Sequence, residues 1–377
     1  MKPVDSISTR LNRFHAQEIA TVAELHTLLP TPPATQRVIR KTQDSLKNIL
    51  HGVDDRLALI VGPCSVHDAP SALEFAKRLM PLRARHADAL EIVMRVYFEK
   101  PRTTVGWKGW INDPLLDGSF RIADGLRLAR TLLLDINGLG LPAATEFLDL
   151  MSVPYLDDLI SWGAIGARTT ESPMHRQMAS GLAAPIGFKN GTDGNVKIAI
   201  DAVKAARESH HYLSPSDDGR LAVISTSGNS ASHIVLRGGK VPNYDPGSIN
   251  AVCSDLLEAR LPARLVVDAS HGNSGKNPLA QIQVCENIAR QLANGERRIA
   301  GLMIESHLLA GRQEIVPGVP LVYGQSITDA CIGWSDTAEL IELLADAVRE
   351  RRQYFNVSVK RQATHADTRQ AVSAISN

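Results

Sequence analysis

Short apolar runs rich in β-branched residues recur along the chain, and each is bounded by turn residues or by a charged side chain. Runs of this length and composition are typical of buried strands. The sequence predicts eight of them, at residues 57–61, 92–96, 141–145, 164–167, 185–188, 233–236, 265–268 and 301–304. Most intervening segments carry apolar residues spaced by three and four, which predicts helices at 71–85, 195–207 and 278–292.

This alternation of strands and helices predicts a (β/α)8 TIM barrel of the α/β class. Strands joined through helices pair in parallel. Eight such units in about 250 residues match the usual size of that barrel. Its active site lies at the carboxyl ends of the strands, so the residues that follow each strand are the candidates for chemistry.

The first part of the chain is predicted to be a helical arm. We assign it to residues 1–50, with helix-prone stretches at 22–29 and 36–50 that Pro30-Thr-Pro-Pro33 separates. The arm must cover something apolar, either the underside of the barrel or a neighbouring subunit.

The barrel itself is assigned to residues 51–352. It carries an inserted β-hairpin at about 212–232, where alternating apolar residues follow the turn Asp217-Asp-Gly219. Residues 353–377 are polar and are predicted to form a frayed C-terminal tail.

A cluster of cations follows the second predicted strand. Arg95, Lys100 and Arg102 arrive within a few residues, and Thr103 and Thr104 add hydroxyls. Such a cluster at a strand end is suited to binding a phosphate or a carboxylate. The alternative is a solvated basic loop without function.

Ionisable residues also follow the other predicted strands, which favours a binding site over a solvated loop. A purely structural rim has little reason to gather them, because buried charges are costly unless they are paired or ligand-bound. The residues at these strand ends are Cys64, Lys100, Glu146, Arg168, Lys189, Arg237, His271 and Glu305.

Composition narrows the class of protein. The 377 residues are 44% hydrophobic and 21% charged with a net charge of +1, so no global field favours nucleic acid or an anionic membrane. No apolar run approaches transmembrane length, and the first residues lack an apolar signal core. Four widely spaced cysteines favour a reduced, cytoplasmic protein in which most thiols are inert.

Four potential metal ligands fall at or just beyond predicted strand ends: Cys64, His271, Glu305 and Asp329. A thiolate, an imidazole and two carboxylates suit a divalent transition ion, whether manganese, iron, cobalt or zinc. Each residue alone has a plainer explanation, such as a structural thiol or a carboxylate paired with a cation. The residues by themselves are also compatible with a metal-dependent hydrolase.

Several motifs resemble type I 3-deoxy-D-arabino-heptulosonate 7-phosphate (DAHP) synthases. The likeness runs from about Leu57 to Arg352. It is carried by Gly62-Pro-Cys-Ser65, the stretches 95–109, 163–172 and 187–193, Leu236-Arg-Gly-Gly239, Ser270-His-Gly-Asn273 and Ser326-Ile-Thr-Asp-Ala-Cys331. The resemblance implies a (β/α)8 barrel that condenses phosphoenolpyruvate with erythrose 4-phosphate, the first step of the shikimate pathway.

The resemblance also implies roles for individual residues. Phosphoenolpyruvate would be bound by Arg95, Lys100, Arg168, Lys189 and Arg237. Erythrose 4-phosphate would be bound by Lys100, Pro101, Arg102 and Thr103. The divalent metal would be held by Cys64, His271, Glu305 and Asp329. Lys100 and His271 would be catalytic, and Glu146 would either orient a substrate or water or pair with a cation of the rim.

Two alternatives to this activity remain open. A related barrel could add phosphoenolpyruvate to a five-carbon sugar phosphate, although Lys100-Pro-Arg-Thr103 favours the four-carbon sugar. A regulatory homologue could bind an aromatic amino acid without turnover, although the complete ligand set argues against it.

The resemblance further implies a homodimer or homotetramer and inhibition by an aromatic amino acid near the hairpin. The chain departs from the family pattern at two places. Val153-Pro154 stands where relatives usually carry Pro-Gln or Gly-Gln, and Ala183 stands where they usually carry a Ser. Smaller and more apolar walls favour tryptophan as the effector, bound between the arm, the hairpin and residues 151–154.

Overall fold

The computed structural model describes residues 17–102, 106–316 and 318–375, and of residues 355–375 the backbone alone. The strands are β1 (Leu57–Gly62), β2 (Leu90–Arg95), β3 (Ala143–Glu146), β4 (Trp162–Ile165), β5 (Ile186–Lys189), β6 (His211–Pro215), β7 (Leu221–Ser225), β8 (His233–Leu236), β9 (Leu265–Asp268) and β10 (Ile299–Glu305). Eight of them, all but β6 and β7, form a closed barrel in which every neighbouring pair is parallel. The predicted TIM barrel is confirmed.

Helices fill the connections between the strands. They are α1 (Val22–Leu28), α2 (Pro33–His51), α3 (Ala69–Arg85), α4 (Ile122–Gly138), α5 (Pro173–Gly181), α6 (Lys197–Arg207), α7 (Pro246–Glu258), α8 (His271–Ser274), α9 (Pro278–Ala293) and α10 (Trp334–Ile375). Their starts follow local capping rules: Asp68 and Asp245 accept hydrogen bonds from first-turn amides of α3 and α7. In the described part of the chain, no helix combines the length and the apolar composition needed to cross a membrane.

The barrel strands are buried on both faces, so alternate residues serve two different cores. On β1, Ala58 and Ile60 belong to the cluster inside the barrel, whereas Leu57, Leu59 and Val61 pack against the surrounding helices. This explains why the strands read in the sequence as continuous apolar runs rather than as an alternating pattern.

The arm packs on the underside of the barrel through α2, which is one of the two surfaces that the sequence left open for it. Leu46, Ile49 and Leu50 of α2 join the cluster inside the barrel. The Gln43 side chain donates to the Ile160 carbonyl oxygen at 2.9 Å, just before β4 begins. The amino-terminal end of the barrel is therefore closed by α2.

A buried arginine fastens the arm to the rest of the molecule. Arg130 on α4 donates to the carbonyl oxygens of Leu29 and Tyr155, each at 2.9 Å, and pairs with Asp158 at 2.7 Å. Nearby, the Ala23 amide donates to the Asp217 carbonyl oxygen in the hairpin turn. The arm, the segment around Tyr155 and the hairpin therefore meet in one place.

The hairpin is confirmed and the frayed tail is not. β6 and β7 pair antiparallel on either side of the predicted turn, with Pro215 opposite Leu221. Where the sequence predicted a frayed tail beyond Arg352, α10 continues as a helix through Ile375. The polar composition misled the prediction, because a helix without an apolar stripe has no periodic signal.

We expect Arg130→Ala to lower the free energy of unfolding by about 3 kcal/mol, because it leaves a carboxylate and two carbonyl oxygens without their shared donor. The estimate takes the lower end for a buried pair because the Asp158 side chain is 33% exposed. Urea unfolding would measure the loss. Arg127→Ala on the same helix, whose side chain is 56% exposed, is the matched control and should change little. Equal losses in the two variants would contradict the anchoring role.

Candidate active site

A cleft with about 680 Å³ of empty space opens at the carboxyl ends of the strands. It is lined by most of the residues that the sequence singled out. These are Lys100, Pro101, Arg102, Glu146, Arg168, Lys189, Arg237, His271 and Asp329, together with Gly166, Ala167, Thr192, Lys276 and Thr328. Cys64, Arg95 and Glu305 are not among these lining residues and are fully buried. Thr103 lies outside the described residues.

Three of the four predicted metal ligands come together. One ligand atom each from Cys64, Glu305 and Asp329 lies within 4.8 Å of the other two. Glu305 ends β10 and Cys64 follows β1, and the pairing of Gly62 with Glu305 in these adjacent strands brings them together. A thiol and two carboxylates at this spacing fit a divalent transition ion.

The fourth predicted ligand, His271, is outside this close group. Its Nε2 lies 3.8 Å from a carboxylate oxygen of Glu305, and its Nδ1 lies 2.9 Å from Asp268. Its backbone φ is +54°, in the left-handed region that residues other than glycine rarely adopt. Such strain is commonly retained at functional sites, which agrees with a role for this imidazole.

Glu305 is held ionised although it has no access to water. Its carboxylate lies 3.0 Å from the Arg95 guanidinium and accepts a hydrogen bond from the Ser270 hydroxyl at 2.8 Å. Burial opposes the charge, but His271, Arg95 and Lys100 outweigh it and lower the pKa of Glu305 to about 2. The site therefore presents a carboxylate, not a carboxylic acid, at neutral pH.

Cys64 and Lys100 are in direct contact. The Lys100 ammonium donates to the Cys64 sulfur at 3.0 Å and to the Cys64 carbonyl oxygen at 2.8 Å. Burial and then the charge of Glu305 raise the pKa of the Cys64 thiol, and Lys100 opposes them. Ionisation of this thiol would thus require a further positive charge close by, which a bound cation supplies.

The cations of the site fall into two groups. Arg95 and Lys189 are buried and already paired, with Glu305 and Asp268 respectively. For Arg102, Arg168 and Arg237, the structure gives no carboxylate within ion-pair distance among the residues it describes. Cations gathered without a counter-charge leave this cleft ready for an anionic ligand.

Glu146 ends β3 and lines the cleft, with 8% of its surface exposed. Its carboxylate packs against Gly166, where an added Cβ would overlap it. The described residues include no ion-pair partner for Glu146, so the alternative of a paired rim carboxylate receives no support from this structure.

Several residues that support the site were missed by the sequence reasoning. The Asp268 carboxylate lies 2.9 Å from the Lys189 ammonium and 2.9 Å from the His271 ring; burial opposes its charge, but Lys189 and then His271 hold the pKa of Asp268 well below the usual range. Gln281 on α9 pairs with the backbone of Glu305 in both directions. Asp268 ends a predicted strand and could have been found by its position, whereas nothing in the sequence marks Gln281.

The chain is similar to proteins of one kind over most of its length. Residues 34–342 match the model of the DAHP synthetase I family. A Trp-sensitive phospho-2-dehydro-3-deoxyheptonate aldolase of Escherichia coli O157:H7 is 55% identical over 341 residues, covering 90% of this chain and 98% of that protein. The Phe-sensitive enzyme of Escherichia coli K12 is 56% identical over 328 residues, covering 86% and 94%.

A solved structure agrees with these matches. The phospho-2-dehydro-3-deoxyheptonate aldolase of Francisella tularensis SCHU S4 superimposes with a TM-score of 0.88 and is 46% identical. The superposition covers 90% of this chain and 99% of that chain.

We expect Asp268→Asn to weaken Mn²⁺ binding by about 10- to 100-fold, as when residues that orient metal ligands are replaced. The Asp268 carboxylate contacts both His271 and Lys189, and a neutral amide at this position cannot accept hydrogen bonds from both side chains as the carboxylate does. Equilibrium dialysis or calorimetry with Mn²⁺ would measure the change. Asp255→Asn, an exposed position on α7, is the control. Unchanged affinity in Asp268→Asn would show that His271 needs no support from this carboxylate.

Proposed function

This chain belongs to the DAHP synthetase I family, and we propose that it condenses phosphoenolpyruvate with D-erythrose 4-phosphate and water to give 3-deoxy-D-arabino-heptulosonate 7-phosphate and phosphate. This is a carbon–carbon bond-forming transfer and the first step of the shikimate pathway to the aromatic amino acids. The observation that carries the proposal is one cleft in which three guanidinium groups, which have no carboxylate partner among the described residues, adjoin a possible metal site.

The charges of the cleft suit the two substrates. Together these bring two phosphates and one carboxylate, or about five negative charges. We assign phosphoenolpyruvate to Arg95, Lys100, Arg168, Lys189 and Arg237. Lys100, Pro101 and Arg102 also line the cleft and are assigned, with Thr103, to erythrose 4-phosphate.

A divalent ion is part of the proposal. Cys64, Glu305 and Asp329 would hold it, and a modest movement of His271 would complete the set. A bound manganese, iron, cobalt or zinc ion would supply Lewis-acid polarisation of the aldehyde carbonyl. Lys276 pairs with Asp329 at 3.0 Å and would have to release that carboxylate when the ion binds.

We assign the proton transfers of the reaction to side chains of the cleft. C3 of phosphoenolpyruvate forms a bond to the aldehyde carbon of the sugar, while Lys100 protonates the aldehyde oxygen. Water adds its oxygen at C2, and the C2–O bond to phosphate then breaks, so phosphate leaves and a ketone remains. Of the two water protons, one replaces the proton that Lys100 gave and the other leaves with phosphate. We assign the orientation of this water to His271 or Glu146, both of which line the cleft.

The proposal is tested by following the loss of phosphoenolpyruvate with purified protein. We expect loss with erythrose 4-phosphate, little with arabinose 5-phosphate and none without a sugar. Chelation should abolish the reaction, and Mn²⁺ should restore it. Equal rates with arabinose 5-phosphate would instead favour the related five-carbon synthase, and loss without sugar would favour a hydrolase.

In the same assay, Lys100→Ala should reduce turnover by ~10² or more, the usual cost of losing a proton donor or a charge-stabilising group. Lys240→Ala is the matched control because that side chain is exposed and outside the cleft. A Lys100→Ala enzyme within a few-fold of wild type would mean that this ammonium is only a charge of the rim.

Regulation by an aromatic amino acid is the second part of the proposal, since relatives are described as Trp-sensitive and Phe-sensitive. Two cavities lie where the sequence placed an effector. The hairpin cavity, of about 910 Å³, lies between Val153, Met178 and Tyr212. The arm cavity, of about 1450 Å³, is lined by Val22 of the arm, Asp149–Ser152 and the hairpin turn. Ala183 is exposed and lines neither cavity.

A homodimer or homotetramer and a cytoplasmic setting complete the proposal. Neither nucleic acid nor membrane is expected as a partner, because the net charge is +1 and the charged residues of interest are gathered in one cleft.

We expect L-Trp, at millimolar concentration, to raise the thermal midpoint more than L-Phe or L-Tyr, because a ligand that binds only the native state stabilises it. D-Trp is the matched control, since it has the same hydrophobicity. Deleting residues 1–30 should remove the inhibition and leave turnover intact. If none of the three amino acids shifts the midpoint or slows the enzyme, the regulatory part of the proposal fails.

A further inference from the structure

Glu99 lies at the base of the loop that brings Lys100 to the cleft. The Lys100 amide donates to the Lys108 carbonyl oxygen at 2.9 Å, and the Trp110 amide donates to the Phe98 carbonyl oxygen at 2.7 Å. These two hydrogen bonds close the loop on either side of Glu99. A displacement of Glu99 is therefore also a displacement of Lys100.

The two sides of the loop base are pressed together. Glu99 lies opposite Gly109 in this pairing. Gly109 has a φ of +120°, and a Cβ added there would overlap the Phe98 carbonyl oxygen. Only glycine permits this approach, so the backbone around Glu99 has little freedom to shift independently of the loop.

The Glu99 side chain points away from the cleft, toward a different part of the molecule. It is 5% exposed, and its Oε2 accepts hydrogen bonds from the Asp149 amide at 3.4 Å and the Ser152 hydroxyl at 3.2 Å. Asp149 and Ser152 both line the arm cavity. One carboxylate oxygen thus joins the cavity wall to the base of the substrate loop.

This carboxylate is kept at an energetic cost. Burial and then the charge of Asp149 raise the pKa of Glu99 to about 7, and Glu146 adds to the effect, while the Asp149 amide and the Ser152 hydroxyl oppose it. The carboxylates of Asp149 and Glu146 therefore both disfavour the charged form of Glu99. Among the described residues, no cation lies within ion-pair distance of the Glu99 carboxylate. A glutamine would fill the same space without this cost.

We propose that Glu99 is a positioning residue, which transmits the position of the cavity wall at Asp149–Ser152 to Lys100 and thereby sets the affinity of the cleft for the aldose phosphate. The inference rests on the proposed function, in which the loop from Lys100 to Arg102 binds that substrate. Glu99 does not touch the reacting atoms and acts only through the loop.

The direction of the pH dependence follows from the hydrogen bonds. Above pH 7 Glu99 is ionised and accepts charge-assisted hydrogen bonds from Asp149 and Ser152, which are stronger than neutral ones. Below pH 7 it is protonated and the link to the wall weakens. The pKa of Glu99 in the folded protein lies above the ordinary value of a glutamate. The free energy of unfolding therefore falls as the pH rises from that ordinary value to about 7, where Glu99 ionises in the folded protein. Glu99→Gln should therefore be at least as stable as wild type at pH 8.

The test compares Glu99→Gln and Ser152→Ala with two matched controls at exposed positions, Glu339→Gln and Ser209→Ala. At pH 8 we expect Glu99→Gln to raise KM for erythrose 4-phosphate by about fivefold or more and to lower kcat by a smaller factor, because a displaced Lys100 serves both in binding this substrate and in donating the proton. At pH 6 the ratio of variant to wild-type KM should fall toward one. Ser152→Ala should act in the same direction, and the double variant should be no worse than the single ones.

A second measurement does not depend on turnover. Residue-resolved hydrogen exchange at the amides of Lys100 and Trp110 should be faster in Ser152→Ala than in Ser209→Ala, because the altered wall no longer steadies the loop base. A KM ratio for Glu99→Gln that is the same at pH 6 and pH 8, or unchanged exchange at both amides, would overturn the proposal. If wild type does not use erythrose 4-phosphate at all, the proposed function fails, while the exchange measurement still decides whether the wall and the loop are linked.

Discussion

The barrel and its site depend on one buried carboxylate, that of Glu305 at the end of β10. It contacts Arg95 from β2 and Ser270 after β9, and its backbone is paired with Gln281 on α9. The strand that closes the barrel is therefore fixed by the same group that the proposed function assigns as a ligand of the divalent ion. Removing a partner of so deeply buried a charge would lower the free energy of unfolding substantially. The position of the Glu305 carboxylate is therefore coupled to the stability of the fold.

The cations near Glu305 differ in whether they already have a carboxylate partner. Arg95 and Lys189 are locked by buried acids, so their positions do not depend on a ligand. Arg168 and Arg237 lie further toward the opening, without carboxylate partners in the structure as described. Under the proposed function, Arg95 and Lys189 would give the site its shape, and Arg168 and Arg237 would supply the net charge that an anionic ligand neutralises. Such an arrangement limits the reorganisation needed when the ligand arrives.

The sequence was sufficient for the barrel because its strands are short, buried on both faces and separated by helices with a clear apolar stripe. The sequence was also sufficient for most of the residues that line the cleft, because in this fold the carboxyl ends of the strands meet at one end of the barrel. Lys100, Arg168 and Arg237 line one cleft there, as predicted. The sequence failed where contacts are long-range and chemically ordinary. Gln281 lies on no recognisable motif, and although Glu99 lies within the stretch 95–109, nothing in that stretch indicates its partners; only the three-dimensional structure shows them. The helix after Arg352 was missed because a polar helix has no periodic signature.

The closure of the barrel by α2 has a consequence for the order in which the molecule assembles. α2 is synthesised before any strand of the barrel. The carbonyl oxygen of Ile160, which accepts a hydrogen bond from Gln43, follows Gln43 by 117 residues, and Arg264, which donates to Ile49, follows Ile49 by 215 residues. Until those segments emerge from the ribosome, Leu46, Ile49 and Leu50 have no barrel interior to enter. The nascent chain therefore carries a helix with an uncovered apolar face through much of its synthesis, and such a face is a natural ligand for chaperones.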